Sequence, residues 1–274
     1  MDLTLHIVSL PLWASGLLMV GGTTLVAVLG PLLVRRYVAL ERLSTNNEVA
    51  GFKFATLGVI YAVLLAFAVI AVWEKFSDAE GAVAQEAGAL TALYRLSGSL
   101  DPDAQAGVRD ALARYLHTTI AEDWPAMARG TASPGATRAL TAVYGAVLAH
   151  DPSGPRGGAL LGEMLGQLDQ VTQARRRRLG LAAGIVPALI WLVLFTGAVV
   201  TIAFAFFFGT QNLRAQVLMS GMLALMISLS LFVVVSIDHP FTGPVRVLPE
   251  PLEAVVADFG ENRAPPRPGA AAAR

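Results

Sequence analysis

Phe54–Trp73 reads FATLGVIYAVLLAFAVIAVW, twenty positions without a charge. At about 1.5 Å per residue, a helix of this length crosses the roughly 30 Å hydrocarbon core of a bilayer. Directly after it Glu74, Lys75, Asp78 and Glu80 enter, while Phe76, Val83, Ala87, Leu90, Leu93 and Leu100 keep to one stripe. That is the period of an amphipathic helix. Val49 to Leu100 therefore reads as one helix that crosses a membrane and runs on into water. Upstream, Thr45-Asn46-Asn47-Glu48 has the spacing of a capping box that would start it. Within the span, Gly58, Ala62 and Ala66 recur every four residues, a spacing that lets another backbone approach closely.

Working outward, Leu12 to Val34 is the first span, with Pro11 at its start, Pro31 in its last turn, and Arg35, Arg36 and Tyr37 as an interfacial anchor. Met1 to His6 has no Lys or Arg, so a secretory signal is not expected. The third span is Ile185–Phe208 and the fourth Ala215–Ile237; the short link Gly209–Asn212 makes them an antiparallel hairpin. Between spans two and three the pattern predicts further amphipathic helices. Asp101-Pro102 opens one that Pro125 ends, Ser133-Pro134 opens another, Asp151–Pro155 is a turn, and Gly158–Gln173 is helical. No stretch alternates with a two-residue period, so no sheet is expected.

The fold class is an all-α integral membrane protein with a helical bundle between the second and third spans. The division is 1–53 (first span and polar link), 54–73 (second span), 74–183 (bundle, continuous with spans two and three) and 184–237 (hairpin of spans three and four). Residues 238–260 follow as an irregular segment and a short surface helix, and 261–274 as a disordered tail rich in Pro and Ala.

Composition narrows the function. The chain is 55% hydrophobic and 15% charged, against about 25% charged in soluble domains. Its formal net charge is +0, so no overall field favours nucleic acid. It has no cysteine, which removes disulfides, thiolate metal sites and cysteine nucleophiles. No nucleophile elbow, phosphate loop or dinucleotide fingerprint is present, so an enzyme, a cofactor and a bound metal are not expected. His117, Glu122 and Asp123 match no common ligand spacing and read as surface residues.

The four spans hold no Asp, Glu, Lys, Arg or His. Proton relays and ion-coupled transporters keep such groups at mid-membrane; a passive pore can do without them. Hydroxyls at Thr23, Thr24, Thr196, Thr201, Ser220, Ser228 and Ser230 are available to line one, or to bond within their own helices. Phe204, Phe206, Phe207 and Phe208 could narrow a pore by dewetting or anchor the span at the interface. An even number of spans puts both termini and the bundle on one side. Basic residues near the span ends are almost balanced, and the tetrad Arg175, Arg176, Arg177 and Arg178, read as a lipid-facing basic cluster, places that side in the cytoplasm.

Asn46–Phe52 (NNEVAGF), Leu57–Trp73 with its Tyr61, Ala82–Leu96 (AVAQEAGALTALYRL), Glu122–Gly130 (EDWPAMARG) and Asp238–Leu248 (DHPFTGPVRVL) together resemble a prokaryotic membrane-protein family labelled bestrophin-like. Bestrophins are pentameric anion channels with four spans per subunit, a helical cytosolic region between spans two and three, and cytosolic termini. The resemblance thus implies a homo-oligomer in a bacterial cytoplasmic membrane, with the lipid bilayer and small anions as partners. Bestrophins carry an Asn-Pro-Phe-Gly or Asp-Pro-Phe-Gly element after the fourth span. Asp238, Pro240, Phe241 and Gly243 look like it, with Thr242 inserted, and Pro244–Val247 replaces the acidic calcium-binding run of animal members. The bestrophin neck lies on the second span, which makes Gly58, Tyr61, Ala62, Ala66, Phe67 and Ile70 the candidate packing and pore-axis residues. A second reading remains: a non-conducting membrane-anchored scaffold or sensor whose bundle, Glu74–Arg178, binds a partner or transmits movement along the helices continuous with spans two and three.

Overall fold

The computed structural model describes residues 11–149, 154–184 and 186–261. Helix dominates, and no strand occurs among the described residues. Among the described residues four helices are long and apolar enough to cross a membrane: α1 (Leu12–Tyr37), α3 (Asn47–Ser97), α8 (Ala188–Ala205) and α9 (Leu213–Ile237). A short α2 (Leu40–Ser44) lies in the polar link. After α3 come α4 (Pro102–Thr118), a π-helical turn (Thr119–Asp123), α5 (Trp124–Met127), α6 (Pro134–Leu148) and α7 (Gly154–Leu181). The last element is α10 (Glu250–Glu261).

The described residues fall into two compact units. The first takes its residues from Met1–Phe76, Gly184–His239 and Gly243–Arg246; the second from Ser77–Ala183, Pro240–Thr242 and Val247–Arg274.

In the first unit α9 packs along α1 and against α8. The α3 portion contributes Tyr61, Leu65, Ala68 and Val72 to a core shared with Leu194 and Ile202 of α8 and Leu231 and Val234 of α9. In lipid this packing rests on close contact rather than on expelled water. Gly197 shows how close: a Cβ there would lie 2.5 Å from the Tyr61 ring. The Tyr61 hydroxyl donates to the Leu194 carbonyl at 3.1 Å, which satisfies a polar group that hydrocarbon could not.

In the second unit the stripes of α3, α4, α6 and α7 meet. Leu90, Leu93, Leu112, Leu116 and Leu168 are fully buried, each contributing about 1.5–3 kcal/mol by leaving water. Ser133 caps α6 as its sequence suggests, its hydroxyl accepting from the N–H groups of Gly135 (3.0 Å) and Ala136 (3.3 Å).

Several local expectations change. Thr45 does not cap the long helix: its hydroxyl donates backward to the Glu41 carbonyl at 2.6 Å. Asn47 instead grips the α8–α9 link, donating to the Gly209 carbonyl (2.6 Å) and accepting from its N–H (3.1 Å). Pro125 does not end the helix begun at Pro102; the wider π turn directly before it accommodates a residue that lacks an N–H. Helix α7 runs to Leu181 and carries all four arginines of the tetrad. Helix α10 is two-faced: Leu252, Val255 and Phe259 are buried, while Glu253, Ala254, Ala257 and Asp258 are exposed. The turn residues 151–153, His6, His150 and the tail 262–274 lie outside the described residues.

Candidate functional site

The most concentrated chemistry lies in the bundle unit. Glu86, Asp123 and Arg178 have no exposed side-chain surface, and Arg175 has little. Arg178 donates from Nε to Glu86 Oε2 at 2.8 Å, and from Nη2 to Glu86 Oε1 at 3.2 Å and Asp123 Oδ2 at 3.4 Å. Its Nη1 lies 3.0 Å from Met127 Sδ, and its guanidinium carbon sits 4.8 Å from the Trp124 ring centre. Arg175 donates from Nε and Nη2 to the two oxygens of Asp123 (2.9 and 3.2 Å) and reaches Thr137 Oγ1 at 3.2 Å. Asp123 also accepts from the Ser133 N–H at 2.8 Å, and Tyr115 donates to Glu86 Oε1 at 2.6 Å.

Two guanidinium groups thus face two carboxylates, and the cluster is electrically balanced. Burial alone would lower the Arg178 pKa; the Glu86 carboxylate, helped by Tyr115 and Asp123, outweighs this and holds it above its ordinary value. Burial pushes the Tyr115 phenol well above its ordinary value, and Glu86 adds to the shift. Fully paired buried charges are compatible with folding where an isolated one is not. The π turn Thr119–Asp123 delivers Asp123 to this cluster; such turns are rare within helices and frequent at functional sites.

The tetrad is therefore split. Arg175 and Arg178 are buried in the bundle and face no lipid; Arg176 and Arg177 are exposed, Arg177 pairing with Asp78 at 2.8 Å. Asp123, read as a surface residue, is buried. Glu86, Tyr115 and Asp123 were not singled out as partners, yet the pattern held a signal. Met164, Leu168 and Val171 form an apolar stripe that continues at the same spacing into Arg175 and Arg178, and Glu86 sits in the stripe of Val83 and Leu90. Among the described residues no group of His, Cys, Asp or Glu could hold a metal ion.

The second-span residues do not share one face. Tyr61 is buried in its unit's core; Ala62, Ala66, Phe67 and Ile70 are exposed, and Gly58 is half-buried. At about 100° per residue, the Gly58–Ala62–Ala66 row lies on the shoulder between the buried stripe and the outward face that carries Ile70 and Phe67. Gly58 and Ala62 border an apolar groove shared with Thr201 and Ile227. The hydroxyls of Thr23, Thr201, Ser228 and Ser230 donate to carbonyls four residues back in their own helices. Phe204 and Phe208 pack on Phe54 with centroids at 5.7 and 5.4 Å.

The segment after the fourth span has two anchors. In the first unit, Asp238 is buried and accepts from the Val186 N–H at 2.8 Å, with His239 Nδ1 3.1 Å from its other oxygen. Gly184 (φ +94°) passes so near that a Cβ would stand 2.9 Å from His239 Nε2. In the second unit, Phe241 is buried edge-on to Trp124 at 5.9 Å, and the Val247 N–H donates to the Pro240 carbonyl at 2.7 Å. Gly243 takes the left-handed φ of +83° that favours glycine.

The profile of the Bestrophin-like domain family matches residues 21–252. The chain belongs to that family. Its fold is similar to a crystal structure of a bacterial bestrophin homologue from Klebsiella pneumoniae carrying an isoleucine-to-threonine mutation, with TM-score 0.70 and 18% identity over 89% of this chain and 98% of that one. A second structure of a homologue from that organism, with a leucine-to-threonine mutation, gives 0.69 and 17% identity over 89% and 97%. A third, phased on zinc, gives 0.66 and 18% over 88% and 95%. No curated protein matches. This bestrophin-like chain is thus an all-α membrane protein with four membrane-spanning helices.

Proposed function

We propose that this bestrophin-like protein is a homo-oligomeric ion channel, pentameric by analogy with bestrophins, that passes small anions passively across a bacterial cytoplasmic membrane. In this reading the second spans surround the axis, and the bundle and both termini are cytoplasmic. The observation that carries it is the two-sided second span. Tyr61, Leu65, Ala68 and Val72 are buried within their own unit, while Val63, Phe67 and Ile70 on the opposite side stay exposed. Helices that leave such a face open can close a ring around it. With no ionisable group in the spans, selectivity would come from pore width, helix-end dipoles and dewetting at apolar constrictions. Asp238, Pro240, Phe241 and Gly243 would fix the exit of the fourth span, and the exposed Arg176 and Arg177 are the members of the tetrad left to meet anionic lipid.

The test is the subunit count of the detergent-purified protein by native mass spectrometry, followed by chloride flux in liposomes. A closed ring of about five subunits with flux supports the proposal. A monomer or dimer removes the axis and overturns it.

One observation favours the non-conducting scaffold or sensor as a second reading. The helix Asn47–Ser97 is unbroken, so a partner on the bundle could act along a single rod. Deleting residues 77–183 without changing the phenotype of the intact gene would remove that reading.

A further inference from the structure

We infer that the bundle unit carries a binding cleft for a small oxyanion, a carboxylate or a phosphate, walled by α3, α4 and α10. Thr91, Tyr94 and Arg95 of α3, Arg109 of α4, and Asp258 and Phe259 of α10 line it. Two guanidinium groups against one carboxylate give these walls a net positive charge. Arginine's planar fork suits the paired oxygens of carboxylate and phosphate.

Tyr94 is the second observation. It is only 5% exposed, and its hydroxyl has no hydrogen-bond partner. Its ring is clamped between Phe259, stacked at 3.9 Å, and the Arg109 guanidinium, 4.3 Å from the centroid. That hydroxyl is shut off from solvent, so what Tyr94 offers the cleft is its ring, which positions the Arg109 guanidinium. Arg109 is held in advance by the Tyr94 ring and by Ser97, to whose Oγ its Nε donates at 3.3 Å. Arg95 is exposed and free to close over the ligand. Because α10 supplies one wall, occupancy would also fasten that helix to α3 and α4. The inference does not depend on whether the chain conducts.

The experiment is calorimetric titration of the full-length, detergent-purified protein with inorganic phosphate and with succinate, at ionic strength matched with sodium chloride. The variants are Arg95→Gln, at an exposed position where the melting temperature should hold, and Arg109→Lys, which keeps the charge but loses the fork. Saturable binding of either probe, weakened at least tenfold by either variant, is the expected result. No saturable binding, or binding that both variants leave within that factor, overturns the cleft.

Discussion

Arg178 and Glu86 meet at 2.8 Å with no exposed side-chain surface on either, in the same cluster where Asp123 is shared by Arg178 and Arg175. Removing one member of such a set leaves another charge buried and unpaired, at a cost of about 3–5 kcal/mol. Glu86→Gln is therefore expected to lower the unfolding temperature of the purified protein sharply. Glu86→Gln combined with Arg178→Met should be less damaging than the sum of the two single changes. Strict additivity in the thermal melts would show that the pair does not act as a unit.

Tyr115 gives a pH dependence with a defined sign. Its phenol titrates well above the ordinary value in the folded protein and near about 10 once unfolded. Its contribution to stability is present below about pH 10 and is lost as pH rises from there through the folded value. The melting temperature should fall on that alkaline side, and less steeply in Tyr115→Phe. Equal slopes in the two proteins would rule out this linkage.

Asn47 and Gly209 form a two-way hydrogen-bonded clasp. Asn47→Ala should cost about 1–3 kcal/mol, since it leaves both groups of Gly209 without that partner. Gly209→Ala should also destabilise, because its Cβ would stand 2.6 Å from the Ser44 nitrogen and 2.7 Å from the Leu43 carbonyl carbon. Both are backbone atoms, and a flexible side chain is not there to yield. Melting curves of the two variants against Gly81→Ala, where a Cβ meets nothing within 4 Å, separate crowding from the general effect of adding a methyl.

Gly58 tests the assembly. Nothing lies within 4 Å of a Cβ built there, so within a single chain Gly58→Ala should be neutral or stabilising by about 0.5–1 kcal/mol. Gly58→Leu should likewise leave the isolated subunit folded, yet lower the subunit number if another chain packs on this face. Native mass spectrometry reads that directly. An intact oligomer with unchanged flux would remove Gly58 from the subunit contact.

Much of this was legible because hydrocarbon is an uncompromising solvent. Uncharged runs such as Phe54–Trp73 have few other uses, and X-Pro steps at Pro102 and Pro134 mark helix starts through a missing N–H. The polar link was harder. Asn47 has the composition of a helix cap, and only the fold brings Gly209, far along the chain, within its reach. Pro125 misled for a local reason, since a π turn accommodates it and sequence does not announce π turns. Arg175 and Arg178 look like half of a basic run. Only their place in the stripe of Leu168 and Val171 shows that they point inward, toward acids on other helices. The second-span set dispersed around its helix because spacing along a chain is not position on a face: Tyr61 and Ile70, nine residues apart, lie about half a turn apart at 100° per residue.

The double use of Asp123 constrains how this protein can drift over generations. A lineage that loses Glu86 or Asp123 first passes through an intermediate with a stranded guanidinium in its interior, and one that loses Arg178 first strands a carboxylate. Descendants should therefore either keep the whole quartet of Glu86, Asp123, Arg175 and Arg178 or replace it by an apolar set acquired through a compensated route. Half-changed versions should be rare among living relatives.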